Sequence, residues 1–426
     1  MIDFTKLSRE ELNERLGSLN EKYAGFLSEN LKLDMSRGRP GSDQLDLSME
    51  MLAFPGPKDI CKLSNGMDAR NYGLTDGIPE AKELFAQMLE VSPKEIIIGG
   101  NSSLSMMYDT IDRAMNFGVC DSKTPWNKLA KVRFICPSPG YDRHFAITEL
   151  FGIEMIPVEM KSDGPDMDAV EKLAASDETV KGIWCTPKYS NPDGITYSDE
   201  VVDRLASMKT AANDFRIFWD NAYTVHHLTD HPDHLKNMME ACKNAGNPER
   251  VFIFASTSKI TFPGAGIAVM AASEKNLAQI RKLLSIKTIG PDKLNQLRHV
   301  HFLKDMDGIN AQMKKQAAIL KPKFGMVLDL LEAELGGKNI ATWNKPNGGY
   351  FISFNTMPGC AAATIKMAAD AGVVLTPAGS TYPYGKDPQD RNIRIAPTLP
   401  PLTELKKAME LLCTCVQIVS IKKLLQ

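Results

Sequence analysis

Short apolar runs alternate with amphipathic stretches along the first two thirds of the chain. Segments with helical periodicity, such as 103–117 and 198–213, separate seven runs of strand length. Continuous apolar runs are typical of strands that are buried on both faces of a parallel sheet. The pattern predicts an α/β fold with a mainly parallel seven-stranded sheet covered by helices. The predicted strands are EIIIGG (95–100), VRFICP (132–137), IEMIPVEM (153–160), GIWCTP (182–187), FRIFWD (215–220), RVFIFAS (250–256) and GIAVMAA (266–272).

The pattern changes after about residue 290. Long helical stretches fill 293–335, and shorter strand-like runs follow at 348–354, 373–379 and 392–397. With 426 residues, two domains are the default. We predict a large domain at 51–295 and a smaller, discontinuous α+β domain formed by 1–50 and 296–426.

Composition narrows the class of protein. A formal net charge of -2 gives no electrostatic reason to expect nucleic acid or an anionic membrane as partner. No apolar stretch approaches the roughly 20 residues of a membrane-spanning helix, and the N-terminus lacks the apolar run of a signal peptide. The eight cysteines contain no C-x-x-C pair, which argues against disulfides and a metal site. We expect a cytoplasmic protein.

Polar side chains follow several of the predicted strands, at the edge of the sheet where α/β proteins bind ligands. Each has an ordinary alternative as a turn residue, a helix cap, a core residue or a solvated lysine. Together they include a potential nucleophilic lysine, a carboxylate, a phenol, an amide and a hydroxyl-lined helix start, which are the groups that pyridoxal phosphate requires. The residues are Ser102, Ser103, Asn191, Asp220, Tyr223, Ser256, Ser258 and Lys259.

Three motifs in this order are similar to those of the class I aminotransferases of fold type I: N-P-x-G at 191–194, D-x-A-Y at 220–223 and S-x-S-K at 256–259. The resemblance runs from about residue 34 to 397 and is to a divergent aspartate aminotransferase branch. It implies that Lys259 binds pyridoxal 5'-phosphate covalently and later moves a proton. Asp220 would keep the ring nitrogen protonated, while Asn191 and Tyr223 would bond the ring oxygen. The phosphate would lie on Ser102, Ser103, Ser256 and Ser258.

The resemblance also assigns residues outside these motifs. Tyr141 would stack on the ring, and Tyr72 would reach the phosphate of a neighbouring subunit, which implies a homodimer. Arg394 would bind the substrate's α-carboxylate together with Asn191. Arg37, Gly38 and Arg39 would lie at the substrate entrance. A second carboxylate on the substrate needs a further cation, for which the candidates are Arg37, Arg39, Arg143 and Lys293, but aromatic residues at 350–351 and 382–384 could form an apolar pocket instead.

One departure from the family pattern concerns the phosphate. The family has an arginine after the P-G that follows the lysine, whereas this chain has Gly266 near that place and no arginine between Lys259 and Arg281. We expect the helix start, the hydroxyls and a residue such as Lys293 of a partner subunit to compensate.

The expected function is transfer of an amino group from an L-amino acid, in the first place aspartate, to a 2-oxo acid such as 2-oxoglutarate in a ping-pong cycle. A transaminase for other amino acids and a pyridoxal-phosphate lyase on the same fold stay open, because either would use the same Lys259, Asp220 and Arg394. A non-catalytic regulatory relative is the third alternative. The intact set of buried charged residues argues against it.

Overall fold

A mixed eight-stranded sheet forms the centre of the computed structural model, which describes residues 2–426. The strands are β1 (Leu33–Asp34), β2 (Ile96–Ile98), β3 (Arg133–Ser138), β4 (Glu154–Lys161), β5 (Gly164–Pro165), β6 (Val180–Cys185), β7 (Arg216–Asp220), β8 (Val251–Ser256), β9 (Ala268–Ala272), β10 (Ala341–Trp343), β11 (Ile352–Thr356), β12 (Val373–Val374) and β13 (Asn392–Ile395). The large sheet has the order β2-β9-β8-β7-β6-β3-β4-β5. Neighbours from β8 to β4 are parallel, whereas β2, β9 and β5 pair antiparallel.

The predicted α/β class is confirmed and all seven predicted strands form, but the sheet has eight strands and not seven. The additional strand, β5, consists of Gly164 and Pro165 alone, so the hydropathy pattern gives no signal for it. β9 runs against β8 because the connection at 257–267 is too short for the helical crossover that a parallel return needs.

The α-helices of the chain either cover the two faces of this sheet or pack in the smaller core described below. They are α1 (Arg9–Ser28), α2 (Ser42–Asp46), α3 (Pro79–Leu89), α4 (Ser103–Phe117), α5 (Asp142–Leu150), α6 (Met167–Ser176), α7 (Asp199–Ser207), α8 (Met238–Asn244), α9 (Glu274–Lys287), α10 (Lys293–Leu303), α11 (Met306–Leu335), α12 (Ala361–Asp370) and α13 (Leu402–Leu424). Along β7, Ile217 and Trp219 pack into one core and Phe218 into the other. Burial on both faces explains why the strands are continuously apolar. No helix within residues 2–426 has the length and apolar character to cross a bilayer.

A third core lies among α1, α11, α13 and the antiparallel sheet β10-β11-β13. The parallel pairing of β1 with β12 ties the N-terminal segment to this region. The core beside the large sheet also takes in Ile309 and Met313 of α11, beyond residue 295. The division of the chain at residues 50 and 295 stays a prediction.

A buried histidine fastens the segment after β8 to α10. The Nδ1 atom of His299 lies 2.8 Å from the carbonyl oxygen of Asn295 and donates to it, which leaves Nε2 as an acceptor. The hydroxyls of Thr257 and Thr261 lie 3.3 and 2.9 Å from Nε2. Burial lowers the pKa of His299 to about 4, although the Asn295 carbonyl acts in the opposite direction. The neutral imidazole therefore contacts Thr257 and Thr261, which lie on either side of Lys259 in the same turn.

We expect His299→Gln to reduce the acid sensitivity of folding. The pKa of His299 is about 4 in the folded chain and about 6.5 in the unfolded chain, so only the unfolded chain takes up this proton as the pH first falls below 6.5. The stability linked to His299 is complete above pH 6.5, and up to about 3 kcal/mol of it is lost as the pH falls toward 4. Melting temperatures of wild type and variant across this range measure the difference. His231→Gln, at an exposed histidine, is the matched control. An equal loss in wild type and His299→Gln would contradict the expectation.

Candidate active site

Residues that follow β3, β6, β7 and β8 line a cavity of about 300 Å³. Segment 37–39, Phe351 and Arg394 close it from the side of the smaller core. Apart from Tyr72 and the candidate Lys293, the site residues named from the three motifs and the family resemblance lie on its wall. These residues are Arg37, Gly38, Arg39, Ser102, Ser103, Tyr141, Asn191, Asp220, Tyr223, Ser256, Ser258, Lys259 and Arg394.

Asp220 ends β7 with one carboxylate oxygen bonded and one free. Its Oδ2 lies 3.0 Å from Nε2 of His144, and both side chains are buried. The His144 ring stacks on Trp184 with ring centroids 4.3 Å apart, which fixes the imidazole. The Oδ1 atom of Asp220 is buried and has no hydrogen-bond partner. A buried carboxylate oxygen of this kind suits a cationic N–H donor.

Lys259 extends its ammonium group between aromatic rings. Its Nζ lies 4.8 Å from the ring centroid of Tyr223 and 5.5 Å from that of Tyr350. Burial lowers the pKa of Lys259, and the charge of Asp220 opposes this shift. Burial and the Lys259 charge lower the pKa of His226 to about 3, so the imidazole beside these rings is neutral. The amine is thus in an environment that favours its nucleophilic form.

The two tyrosines of the cavity stay protonated. Burial, and after it the charge of Asp220, raises the pKa of Tyr141 to about 12. Burial also raises the pKa of Tyr223 well above its ordinary value. Both phenols can therefore donate a hydrogen bond to an oxygen in the cavity at neutral pH.

Hydroxyl groups and a helix start form a second corner of the cavity. Ser102 is the N-cap residue of α4 and Ser103 is its first residue. Across from them, the hydroxyl of Ser256 lies 3.0 Å from that of Ser258 and donates to it. Amide N–H groups at a helix N-terminus together with hydroxyls can bind an anion such as a phosphate.

The structure shows that Gly266 has no room for a side chain. A Cβ atom at Gly266 would lie 2.9 Å from the carbonyl oxygen of Phe262 and 3.0 Å from Oγ1 of Thr257. No side chain fits there without displacing the backbone. Lys293, the residue suggested as a substitute, is 5% exposed within its own chain, beside Gly290, and does not line the cavity. Its role toward a neighbouring subunit stays a prediction.

Arg394 lies in β13 with its guanidinium group almost fully buried. Its Nη1 donates to Oδ1 of Asp142 at 2.9 Å and to Oδ1 of Asn191 at 3.2 Å, and Nη2 donates to Oγ1 of Thr376 at 3.3 Å. The group lies over the ring of Phe351, with 4.9 Å between Cζ and the ring centroid. These contacts fix the position of the arginine.

Gly38 lies directly against this aromatic ring. A Cβ atom at Gly38 would be 2.6 Å from Cζ of Phe351. A side chain at residue 38 would therefore push the ring toward Arg394. Gly38 is needed at this position because the backbone approaches the wall of the cavity so closely.

Tyr72, like Lys293, lies away from the cavity. Its side chain is 75% exposed, and the N–H of the next residue, Gly73, donates to the carbonyl oxygen of Ile289. The prediction placed Tyr72 in the site of a neighbouring subunit. Its exposed position leaves that prediction open.

Two residues of the site were missed in the sequence. His144 lies one helical turn after Tyr141, and this spacing could have indicated it. Asp142 contacts Arg394 across 252 residues of sequence, and no local pattern points to that contact.

The sequence matches the aspartate amino-transferase family over residues 7–426. An aspartate aminotransferase from Corynebacterium glutamicum is 47% identical over 407 residues, which cover 95% of this chain and 94% of that protein. The crystal structure of an aspartate transaminase from the same species has a TM-score of 0.96 at 44% identity, and the match covers 99% of each chain. An α-aminoadipate aminotransferase from Thermus thermophilus, complexed with N-(5'-phosphopyridoxyl)-L-leucine, has a TM-score of 0.74 at 20% identity over 95% of this chain and 97% of that chain, and this likeness shows the fold alone. The resemblance inferred from the motifs is confirmed: the chain belongs to the aspartate amino-transferase family and has the fold of the type I aminotransferases.

Proposed function

We propose that this protein uses pyridoxal 5'-phosphate to transfer the amino group of L-aspartate to a 2-oxo acid such as 2-oxoglutarate. One observation carries the proposal. Lys259, the unpartnered oxygen of Asp220 and the guanidinium group of Arg394 line the same cavity. Lys259 offers a nucleophilic amine, and Asp220 offers a hydrogen-bond acceptor for a cationic ring nitrogen. Arg394 offers a pair of parallel N–H donors for a carboxylate.

The residues present fit the cofactor. Asp220 would hold the protonated ring nitrogen through its free Oδ1, while His144 keeps the carboxylate in place. Tyr223 and Asn191 would bond the ring oxygen, and Tyr141 would lie on the ring face. The phosphate would lie at the start of α4, where Ser102, Ser103, Ser256 and Ser258 provide N–H and O–H donors.

Lys259 would hold the cofactor covalently through Nζ and would afterwards carry a proton to and from the substrate's Cα. When bound, pyridoxal phosphate supplies an electron sink for the charge that develops at Cα. The lowered pKa of Lys259 increases the fraction of free amine, which is the form that accepts a proton. Arg394 would orient the substrate through its α-carboxylate so that Cα faces this amine.

The charges of the cavity favour a dicarboxylic substrate. Four arginines line it against two carboxylates, and this excess of positive charge suits a ligand set of one phosphate and two carboxylates. Arg37 and Arg39 are exposed at the entrance and are candidates for the substrate's second carboxylate, as is Arg143. The aspartate aminotransferase from C. glutamicum supports the same substrate. The arginines are Arg37, Arg39, Arg143 and Arg394, and the carboxylates are Asp142 and Asp220.

We expect the purified protein with pyridoxal phosphate to absorb visible light, and L-aspartate to remove that band by converting the cofactor to its amino form. Lys259→Ala should lower turnover by roughly 10³-fold or more, because the proton carrier is lost. Lys172→Ala, at an exposed lysine of α6, is the matched control and should behave as wild type. Absorption spectra and the amounts of glutamate and oxaloacetate formed from aspartate and 2-oxoglutarate provide the measurement.

The outcomes separate the parts of the proposal. Glutamate and oxaloacetate in equal amounts indicate transamination, whereas release of ammonia without an acceptor would indicate a lyase. If a visible band forms and aspartate leaves it unchanged, the proposed substrate is wrong, but the proposed cofactor is still supported. If no visible band forms with added pyridoxal phosphate, the cofactor proposal fails.

We also propose that two copies of the chain share their sites. Tyr72 is 75% exposed, and the Gly73–Ile289 hydrogen bond sets it beside Ile289, which is 64% exposed. Ile286, in the last turn of α9, is 82% exposed. A neighbouring exposed tyrosine and two isoleucines are of the kind that a second chain covers. In such a homodimer Tyr72 would extend toward the partner's phosphate.

Mixing variants tests the shared site. Tyr72→Ala and Lys259→Ala should each be poor catalysts, but a heterodimer of the two would contain one site with both residues intact. Random pairing should therefore restore about a quarter of wild-type activity after co-expression, since half of the dimers are mixed and each has one complete site. Size-exclusion chromatography with light scattering reports whether dimers form. Dimers without recovered activity would show that Tyr72 acts within its own chain, and a fully active Tyr72→Ala would show that Tyr72 has no role in the site.

A further inference from the structure

The guanidinium group of Arg394 is already bonded to a carboxylate of its own chain. Nη1 donates to Oδ1 of Asp142 at 2.9 Å and to Oδ1 of Asn191 at 3.2 Å, and Nη2 donates to Thr376 at 3.3 Å. The Nε atom has no partner and is buried. A second carboxylate that binds bidentately needs two neighbouring donors of the guanidinium group, and burial of Nε leaves Nη1 and Nη2 for it. Both N–H groups of Nη1 are already bonded, so such a ligand competes with Asp142.

We propose that Asp142 is a built-in competitor for the substrate's α-carboxylate, which occupies Arg394 in the empty site and is displaced when substrate binds. The inference rests on the proposed function, because it takes Arg394 as the residue that binds the carboxylate. Asp142 then sets substrate affinity without taking part in proton transfer.

The two partners differ in their freedom to move. The Arg394 side chain is 4% exposed and is also held by Asn191, Thr376 and Phe351. The Asp142 side chain is 31% exposed and, in the part of the chain that the structure describes, has no other hydrogen-bond partner. The aspartate is therefore the partner that leaves.

The local fold gives the displaced carboxylate a favourable place. Asp142 is the first residue of α5, a helix of 9 residues. A negative charge in the first helical turn is stabilised by the free N–H groups and by the helix dipole. Water can reach the side chain as well. When the Asp142 carboxylate leaves Arg394, it thus exchanges the ion pair for contacts with the helix N-terminus and water. No buried charge is left unpaired.

The pair also protects the empty site. A buried guanidinium group without a counter-ion is costly, and Asp142 compensates it until a carboxylate ligand arrives. The substrate must displace an equal charge, so a part of its binding energy is spent on the exchange. An interaction that opposes ground state and transition state equally changes KM and leaves kcat unaltered.

The test is the affinity of the cofactor-loaded protein for maleate, a dicarboxylate that has no amino group to react. Asp142→Asn keeps the size of the side chain but removes its charge, and maleate should bind about 3- to 10-fold more tightly. KM for aspartate should fall by a similar factor, with kcat within about twofold. Asp199→Asn is the matched control, because Asp199 is also the first residue of a helix, α7, but lies outside the cavity. Calorimetric titration and steady-state kinetics provide the measurements.

A third variant separates failure of the inference from failure of the proposed function. Arg394→Lys should weaken maleate binding strongly, since the bidentate fork is lost. If it does so while Asp142→Asn binds maleate as wild type does or more weakly, Asp142 is a structural partner of Arg394 and the inference is wrong. If Arg394→Lys leaves maleate binding unchanged, the carboxylate site of the proposed function is wrong, and the inference falls with it.

Discussion

A carboxylate buried at the end of a central strand is the constraint on which the site depends. Asp220 lies where β7 delivers it, in a region from which water is largely excluded, and a charge in such a place is costly unless it is paired. His144 bonds one oxygen and is itself held by stacking on Trp184, but the other oxygen stays without a partner. The site is therefore incomplete in its hydrogen bonding until a donor enters the cavity. Lys259 lies near enough for its pKa to respond to this charge, so the same carboxylate influences both the ligand and the nucleophile.

The architecture could be predicted from the sequence because both faces of the sheet are buried. This makes each strand a continuous apolar run, as in Phe252–Phe254 of β8, and such runs contrast clearly with the helices between them. The apolar pattern of the sequence shows neither the direction of a strand nor the presence of a short strand at the edge of the sheet. The reversed direction of β9 follows from the length of a connection, and β5 is made by one glycine and one proline. The boundaries of the two domains are equally weak in the sequence, since α11 contributes to more than one core.

In the candidate site too, some features could be predicted from the sequence and others could not. Asn191, Asp220 and Lys259 lie in local motifs that resemble those of the family, and the structure brings all three to the wall of the cavity. No local motif indicates a contact between residues that are far apart in the sequence. The pairing of Asp142 with Arg394 and the bonds of His299 to Thr257 and Thr261 depend on how α5 and α10 pack. The absence of an arginine near Gly266 is visible in the sequence, but the lack of room for a side chain at Gly266 is visible only in three dimensions.

Three side chains within four residues at the start of α5 contribute to the site. Tyr141 faces the cavity, Asp142 contacts Arg394, and His144 contacts Asp220. A helix is stiff, so a displacement of this turn moves all three side chains together. Within this family, a substitution that tilts α5 to admit a different amino acid would also alter the hold on the ring. Arg37 and Arg39 lie in a different part of the sequence from this turn, so a substitution at either residue changes the cavity entrance without moving α5.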